Sequence, residues 1–210
     1  MNIDEIIRTD IKASLIKSGL LLFLAGFLIF MGIITCESLY RAPYNTRDSY
    51  ISELATKSAA TMTIQKTSAE IFNTTMIVTG LMIFLSAFYV QRIFKRYISS
   101  IPLALTGAGL TGVGICPGYV VPWHLIFALI IFIAGGVAAI TSFRIVKSPL
   151  RYIFILLGIT TLAFLFLNKP ASREFGVGGS ERWVFYPIVF WFTGLGTYLL
   201  GLKDASKNPG

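Results

Sequence analysis

Three short stretches hold the side chains with which this chain could do chemistry. The first is Asp48-Ser49-Tyr50-Ile51-Ser52-Glu53-Leu54. The second is Cys116-Pro117-Gly118, followed by Pro122-Trp123-His124. The third is Gly178-Gly179-Ser180-Glu181-Arg182-Trp183, leading into Tyr186-Pro187. His124 is the sole histidine of 210 residues. A neutral imidazole near a carboxylate is a general base, so His124, Glu53 and Glu181 are the candidate catalytic set. An arginine fork grips phosphate by paired hydrogen bonds, so Arg182 is the candidate anchor for a lipid phosphate. Asn73, Ser52 and Ser180 are the remaining candidate substrate-binding residues. The competing reading is structural: an interfacial histidine bonded to a loop carbonyl, and an ion pair that fastens loops to the rest of the chain.

Other chemistries are weaker. One histidine with Glu53, Asp48 and Glu181 could supply metal ligands, but no HExxH or CxxC spacing is present, and neither metal nor cofactor is expected. Ser52 and Ser180 lack a GxSxG elbow. Gly107-Ala108-Gly109-Leu110-Thr111-Gly112 matches a dinucleotide fingerprint in letters only, because it lies within an apolar run and follows no strand. Small residues there let membrane helices approach closely.

The positioning elements follow from composition. Hydrophobic residues make up 55% of the chain and charged residues 13%, with a mean hydropathy of +0.73. A water-soluble domain could not hide so much apolar surface. Spans of about 20 residues match the hydrocarbon thickness. The sequence places them at 15–36, 70–91, 99–116, 122–143, 150–168 and 183–202. The expected fold is an all-α, polytopic bundle of six transmembrane helices in a single domain over 1–210. The apolar run of the first span exceeds a signal-peptide core and ends at no clear cleavage site, so it is read as retained. No Lys, Arg, Asp or Glu falls mid-span, which disfavours an ion-coupled transporter, a proton pump and a retinal protein.

The net charge of +8 lies at span ends, as a membrane protein places it, and not in a stripe for nucleic acid. Arg92, Lys95 and Arg96 occupy one short connector, and Arg144, Lys147 and Arg151 another. Those two are assigned to the cytoplasm, and so are both termini of a cell-membrane protein. Segments 37–69, 117–121 and 169–182 then face outward, and the three reactive stretches share that face. Trp123 and Trp183 stand at the outer boundary. Pro122 suits a first helical turn, and Pro102, Pro149 and Pro187 also lie close to helix starts. Within 37–69, Ile51, Leu54, Ala55, Ala59 and Met62 recur at helical spacing, with Asp48 or Ser49 as cap. A short helix across the outer face is expected. Cys36 and Cys116 end the first and third spans, either as buried free thiols or as a disulfide in an oxidising compartment.

In this order and spacing, four pieces resemble an uncharacterised membrane family, domain of unknown function 998. They are Tyr50-Ile51-Ser52-Glu53-Leu54, Ile71-Phe72-Asn73, Gly114-Ile115-Cys116-Pro117 with His124 downstream, and Gly178 to Trp183 with Tyr186-Pro187. The chain departs from the family pattern at Cys116, where a phenylalanine is expected, and at Ala55, where a glycine is. The resemblance implies a membrane fold and no established activity. A more distant likeness is to the Frag/DRAM/Sfk membrane proteins, some of which are linked to lipid remodelling of glycosylphosphatidylinositol anchors. The resulting expectation is an outward polar pocket that binds or modifies a lipid or lipid-linked substrate. The alternative is a scaffold or accessory subunit whose polar cluster is structural. Membrane lipids are the expected partners; a protein partner or a homo-oligomer is left open.

Overall fold

The computed structural model describes residues 3–40, 43–55 and 62–205, with no strand among them. Six helices account for most of these residues: α1 (Ile3–Leu39), α2 (Met62–Phe94), α3 (Tyr97–Ile115), α4 (Trp123–Thr141), α5 (Leu150–Phe166) and α6 (Asn168–Ala205). Hydrocarbon offers backbone amides and carbonyls no partner, so an apolar run closes its hydrogen bonds within itself as a helix. Five of the helices are long and apolar enough to cross a membrane. The sixth, α5, has 17 residues, about 25 Å at 1.5 Å per residue. This is a polytopic helical membrane bundle, as the hydropathy pattern predicts.

Each of the six expected spans overlaps one helix, though α1 starts well before residue 15 and α2 well before residue 70. The larger correction concerns 169–182, expected as an outward connector. These residues are helical. α6 starts at Asn168, breaks at Gly176 (φ 75°, ψ 168°) and resumes towards Ala205. Pro187 therefore lies well inside α6, though it follows the break by three turns. The short helix expected within 37–69 is a 3₁₀ turn, Ile51–Ala55. Ala59 lies outside the described residues, and Met62 opens α2.

Each helix packs against the next along the chain, and α6 closes the ring against α1. Leu22, Ile83, Leu110, Phe154, Ile188, Trp191 and Phe192 fill the interior. Phe88, Ile115, Leu156, Phe166 and Phe190 are more than half exposed on the outside. Large apolar side chains in that position need lipid as their neighbour. Interior hydroxyls are satisfied locally or across helices: Thr161 Oγ1 donates to Val184 O at 3.0 Å, and Trp191 Nε1 donates to Ser142 Oγ at 3.2 Å. The glycine run of α3 sits where α2 crosses. A Cβ on Gly107 would lie 2.5 Å from Phe84 N, and one on Gly80 would lie 2.5 Å from Thr111 N.

The two ends of the bundle differ. At one end, Asp10 of α1 pairs with Arg92 of α2, and Ser99 of α3 donates to Thr141 O of α4 at 2.9 Å. Tyr198 of α6 accepts from Lys147 N at 3.0 Å. The first turns of α1 and the last turns of α6 therefore share this end with both basic connectors. Residues 43–55 and the reactive stretches occupy the other.

If α2 and α3 touch through their glycine backbones, Gly107→Ala must push them apart, at a cost of about 1–3 kcal/mol. Gly201 has open space where a Cβ would be. Thermal unfolding in detergent should therefore show a lowered midpoint for Gly107→Ala and an unchanged one for Gly201→Ala.

Candidate functional site

Residues 43–55 lie against α6 through their backbone. Gly178 N and Gly179 N donate to Arg47 O at 2.8 and 3.2 Å. Just past the Gly176 break these amides have no helical acceptor behind them, so they serve the segment instead. A Cβ on Gly178 would lie 2.1 Å from Ser49 O, and one on Gly176 would lie 2.1 Å from Arg47 O. Gly176 also needs the positive φ that only glycine adopts freely. Asn45 shapes the segment from within: its Oδ1 accepts from Arg47 N at 3.0 Å and Asp48 N at 2.8 Å, an Asx turn.

Arg182 is the hub. It is only 9% exposed. Its Nη1 donates to Thr46 O, Ser49 O and Gly178 O at 3.0, 3.1 and 3.0 Å. Its Nη2 donates to Glu37 Oε1 at 2.6 Å and to Tyr44 Oη at 2.7 Å. One guanidinium thus joins the end of α1, the 43–55 segment and α6. Burial pushes the Tyr44 hydroxyl well above its ordinary range, and the neighbouring Arg182 charge only partly opposes this. Tyr44 therefore stays a neutral phenol able to accept from the arginine.

Glu181, one residue earlier, points elsewhere, because adjacent helical residues do not share a face. Its carboxylate accepts from Ile51 N, capping the 3₁₀ turn. Glu53 completes that turn: its Oε1 accepts from Tyr50 N at 3.1 Å. These acids take the capping role expected of Asp48 or Ser49.

His124 stands in the first turn of α4, and its Nδ1 lies 2.8 Å from Cys116 O. A carbonyl can only accept, so Nδ1 carries a proton in this contact. Ser52, His124 and Glu181 line one small space of about 40 Å³, otherwise walled by Phe72, Met76 and Phe132 among others. That volume suits a water-sized species. Asn73, Glu53 and Ser180 are not among its lining residues. Asn73 Oδ1 is buried with no hydrogen-bond partner among the described residues, and Ser180 Oγ donates to Asn168 Oδ1 at 3.2 Å. Cys36 and Cys116 are both free thiols; Cys36 Sγ donates to Ser68 O at 3.3 Å. Among the described residues no His, Cys, Asp or Glu group is placed to hold a metal.

A second and larger space, about 690 Å³, opens on the other side of the Glu181-Arg182 pair. Leu156, Leu157 and Thr160 of α5 form one wall, and Phe175, Trp183 and Phe190 of α6 belong to the other. Thr46, Arg47, Glu174 and Arg182 supply its polar groups. Sequence reasoning found Arg182 and Glu181 but missed Glu37 and Tyr44, the chief side-chain partners of the arginine.

A sequence profile described as "Protein of unknown function (DUF998)" matches residues 24–198. The chain belongs to this family. The match runs from the middle of α1 nearly to the end of α6 and takes in every residue of the candidate site described above. No curated protein and no solved structure matches the chain.

Removing the hub should release the segment. Arg182→Ala leaves the Glu37 carboxylate without its partner and strips Thr46 O and Ser49 O of their donor, costing about 3–5 kcal/mol. Limited trypsin digestion should then cut after the exposed Arg47 markedly faster than in the wild type. Arg182→Lys should behave nearly as badly, since an ammonium cannot span the same fork. Unchanged cleavage rates in both variants would show that the segment is held by other means.

Proposed function

We propose that this multi-pass membrane protein binds a membrane amphiphile, a lipid or lipid-linked molecule, in the groove between α5 and α6. The observation that carries the proposal is the groove itself. Its volume of about 690 Å³ is in the range of small-molecule sites, roughly 300–1,000 Å³. Leu156, Trp183 and Phe190 on its walls are 62%, 47% and 55% exposed, so an acyl chain has a sideways route in from the bilayer. Phe164 stacks on Trp183 with ring centroids 5.2 Å apart and 13° between planes, making a rigid aromatic wall. The polar group of the ligand would meet Thr46 and Arg47 at headgroup level, with Glu174 beside them. In this reading the 43–55 end faces outward, and the termini lie in the cytoplasm of a cell-membrane protein.

The reading is one of binding and not of turnover. The groove and the small space beside His124 have no lining residue in common. Both Nη atoms of Arg182 donate to the protein's own acceptors, so the arginine shapes the groove and leaves phosphate to Arg47.

One observation favours a second reading. The polar groups Glu37, Tyr44, Glu53, Glu181 and Arg182 all find partners inside the chain. That is what a structural cluster in a scaffold or accessory subunit would do.

Native mass spectrometry separates the two. The wild type should carry a co-purifying phospholipid, and Thr160→Trp, which fills the groove, should lose most of it while keeping its melting temperature. Equal lipid occupancy in both would remove the groove from consideration. Glu53→Ala should lower stability by about 1 kcal/mol, as loss of a cap does, and leave lipid occupancy unchanged; a drop in occupancy would mean that the turn belongs to the ligand site.

A further inference from the structure

The opposite end of the bundle carries a second feature that the groove does not explain. The connector between α2 and α3 and the connector between α4 and α5 bring Arg92, Lys95, Arg96, Arg144, Lys147 and Arg151 to one face. The two connectors are neighbours, because Ser99 Oγ at the start of α3 donates to Thr141 O at the end of α4 at 2.9 Å. Arg92 is paired with Asp10. Among the described residues the other five make no ion pair. Neither 91–100 nor 141–152 contains an acid. Lys95, Arg96, Arg144 and Lys147 are exposed.

Aromatic side chains accompany these cations. Arg144 lies over the Phe143 ring at 4.8 Å and Arg151 over the Tyr152 ring at 4.7 Å. Tyr97 and Tyr152 are 67% and 61% exposed. Exposed tyrosines on a membrane helix belong at headgroup depth, which fixes the depth of the cations beside them. Unpaired positive charges at that depth attract anionic headgroups, with an interaction that decays over a Debye length.

We propose that this end of the protein binds the headgroups of anionic phospholipids, seated across the α2–α3 and α4–α5 connectors. The site is separate from the amphiphile groove, and neither depends on the other. Its occupant is a lipid surface of negative charge, selected by charge complementarity between phosphate and five cations that make no ion pair among the described residues.

The test is thermal unfolding of the full chain in neutral detergent with added phosphatidylglycerol, phosphatidylcholine or soluble glycerol phosphate at equal concentration. Phosphatidylglycerol should raise the midpoint, the other two should raise it far less, and the increment should shrink as salt increases. In Lys95→Glu, Arg96→Glu, Lys147→Glu combined, the phosphatidylglycerol increment should fall by at least half. The milder pair Lys95→Gln, Lys147→Gln should show an intermediate loss and tests the same point if the triple variant does not fold. Equal stabilisation by phosphatidylcholine, equal stabilisation by glycerol phosphate, or an undiminished increment in the variants would each overturn the proposal.

Discussion

A guanidinium buried at the rim of a membrane bundle cannot be left without acceptors, since the cost of stripping water from a charge is met only by hydrogen bonds and an opposite charge. Arg182 imposes that condition on everything near it. Glu37 supplies the opposite charge from the last turn of α1. Thr46 and Ser49 supply carbonyls, which obliges residues 43–55 to lie down against α6. Gly178 supplies a third carbonyl from the turn behind the arginine. The path of residues 43–55 is thus dictated less by their own sequence than by a charge that enters the chain more than a hundred residues later. The glycines at 176 and 178 are the steric counterpart, because a side chain at either would stand where the segment's backbone passes.

The two ends of the bundle solve different problems with different means. At the 43–55 end, Glu37, Glu181 and Arg182 are drawn inward and tied to named partners, and order there comes from hydrogen bonds. At the opposite end the two connectors carry only positive charge, most of it turned outward, and order comes from the helices themselves. α6 connects the two regimes. Its first half is polar and bent at Gly176, and its second half carries Ile188, Trp191, Phe192 and Leu195 into the centre of the bundle. A displacement of the segment at one end would therefore act on the longest buried helix, and through it on the wall of the groove.

Much of this was open to reading in the primary structure. Hydrocarbon imposes one solution on an apolar run of about 20 residues, so six helices and their order follow from hydropathy. Parity of the spans then puts His124 and Glu181 at one end, and the two do line a common space. What composition misread was 169–182. Glycine, serine and charged residues resemble a loop, yet outside the hydrocarbon a helix tolerates them, and the only interruption is the residue at positive φ. The spacing of Ile51, Leu54, Ala55, Ala59 and Met62 suggests a helix, yet of these only Ile51, Leu54 and Ala55 belong to the 3₁₀ turn, and three residues cannot distinguish the two periods. The Glu37–Arg182 pair was illegible for a different reason. Its partners are 145 residues apart, and no local pattern links an acid at one span end to an arginine at another.

The Gly-Ser-Glu-Arg-Trp run, first read as a catalytic stretch, has a simpler physical basis in the geometry of a helical turn. Successive side chains rotate by about 100°, so five consecutive residues look in different directions and meet five different neighbours. Gly179 presents its amide to Arg47 O. Ser180 turns to Asn168. Glu181 turns to the amide of Ile51. Arg182 reaches Glu37 and Tyr44, and Trp183 stacks on Phe164 at the groove. Exchanging Glu181 with Trp183 would send a carboxyl group towards the groove and an indole towards the 3₁₀ turn. The spacing of the run is therefore set by its neighbours before any ligand is considered, and a ligand in the groove would meet a wall already fixed by the clamp on residues 43–55.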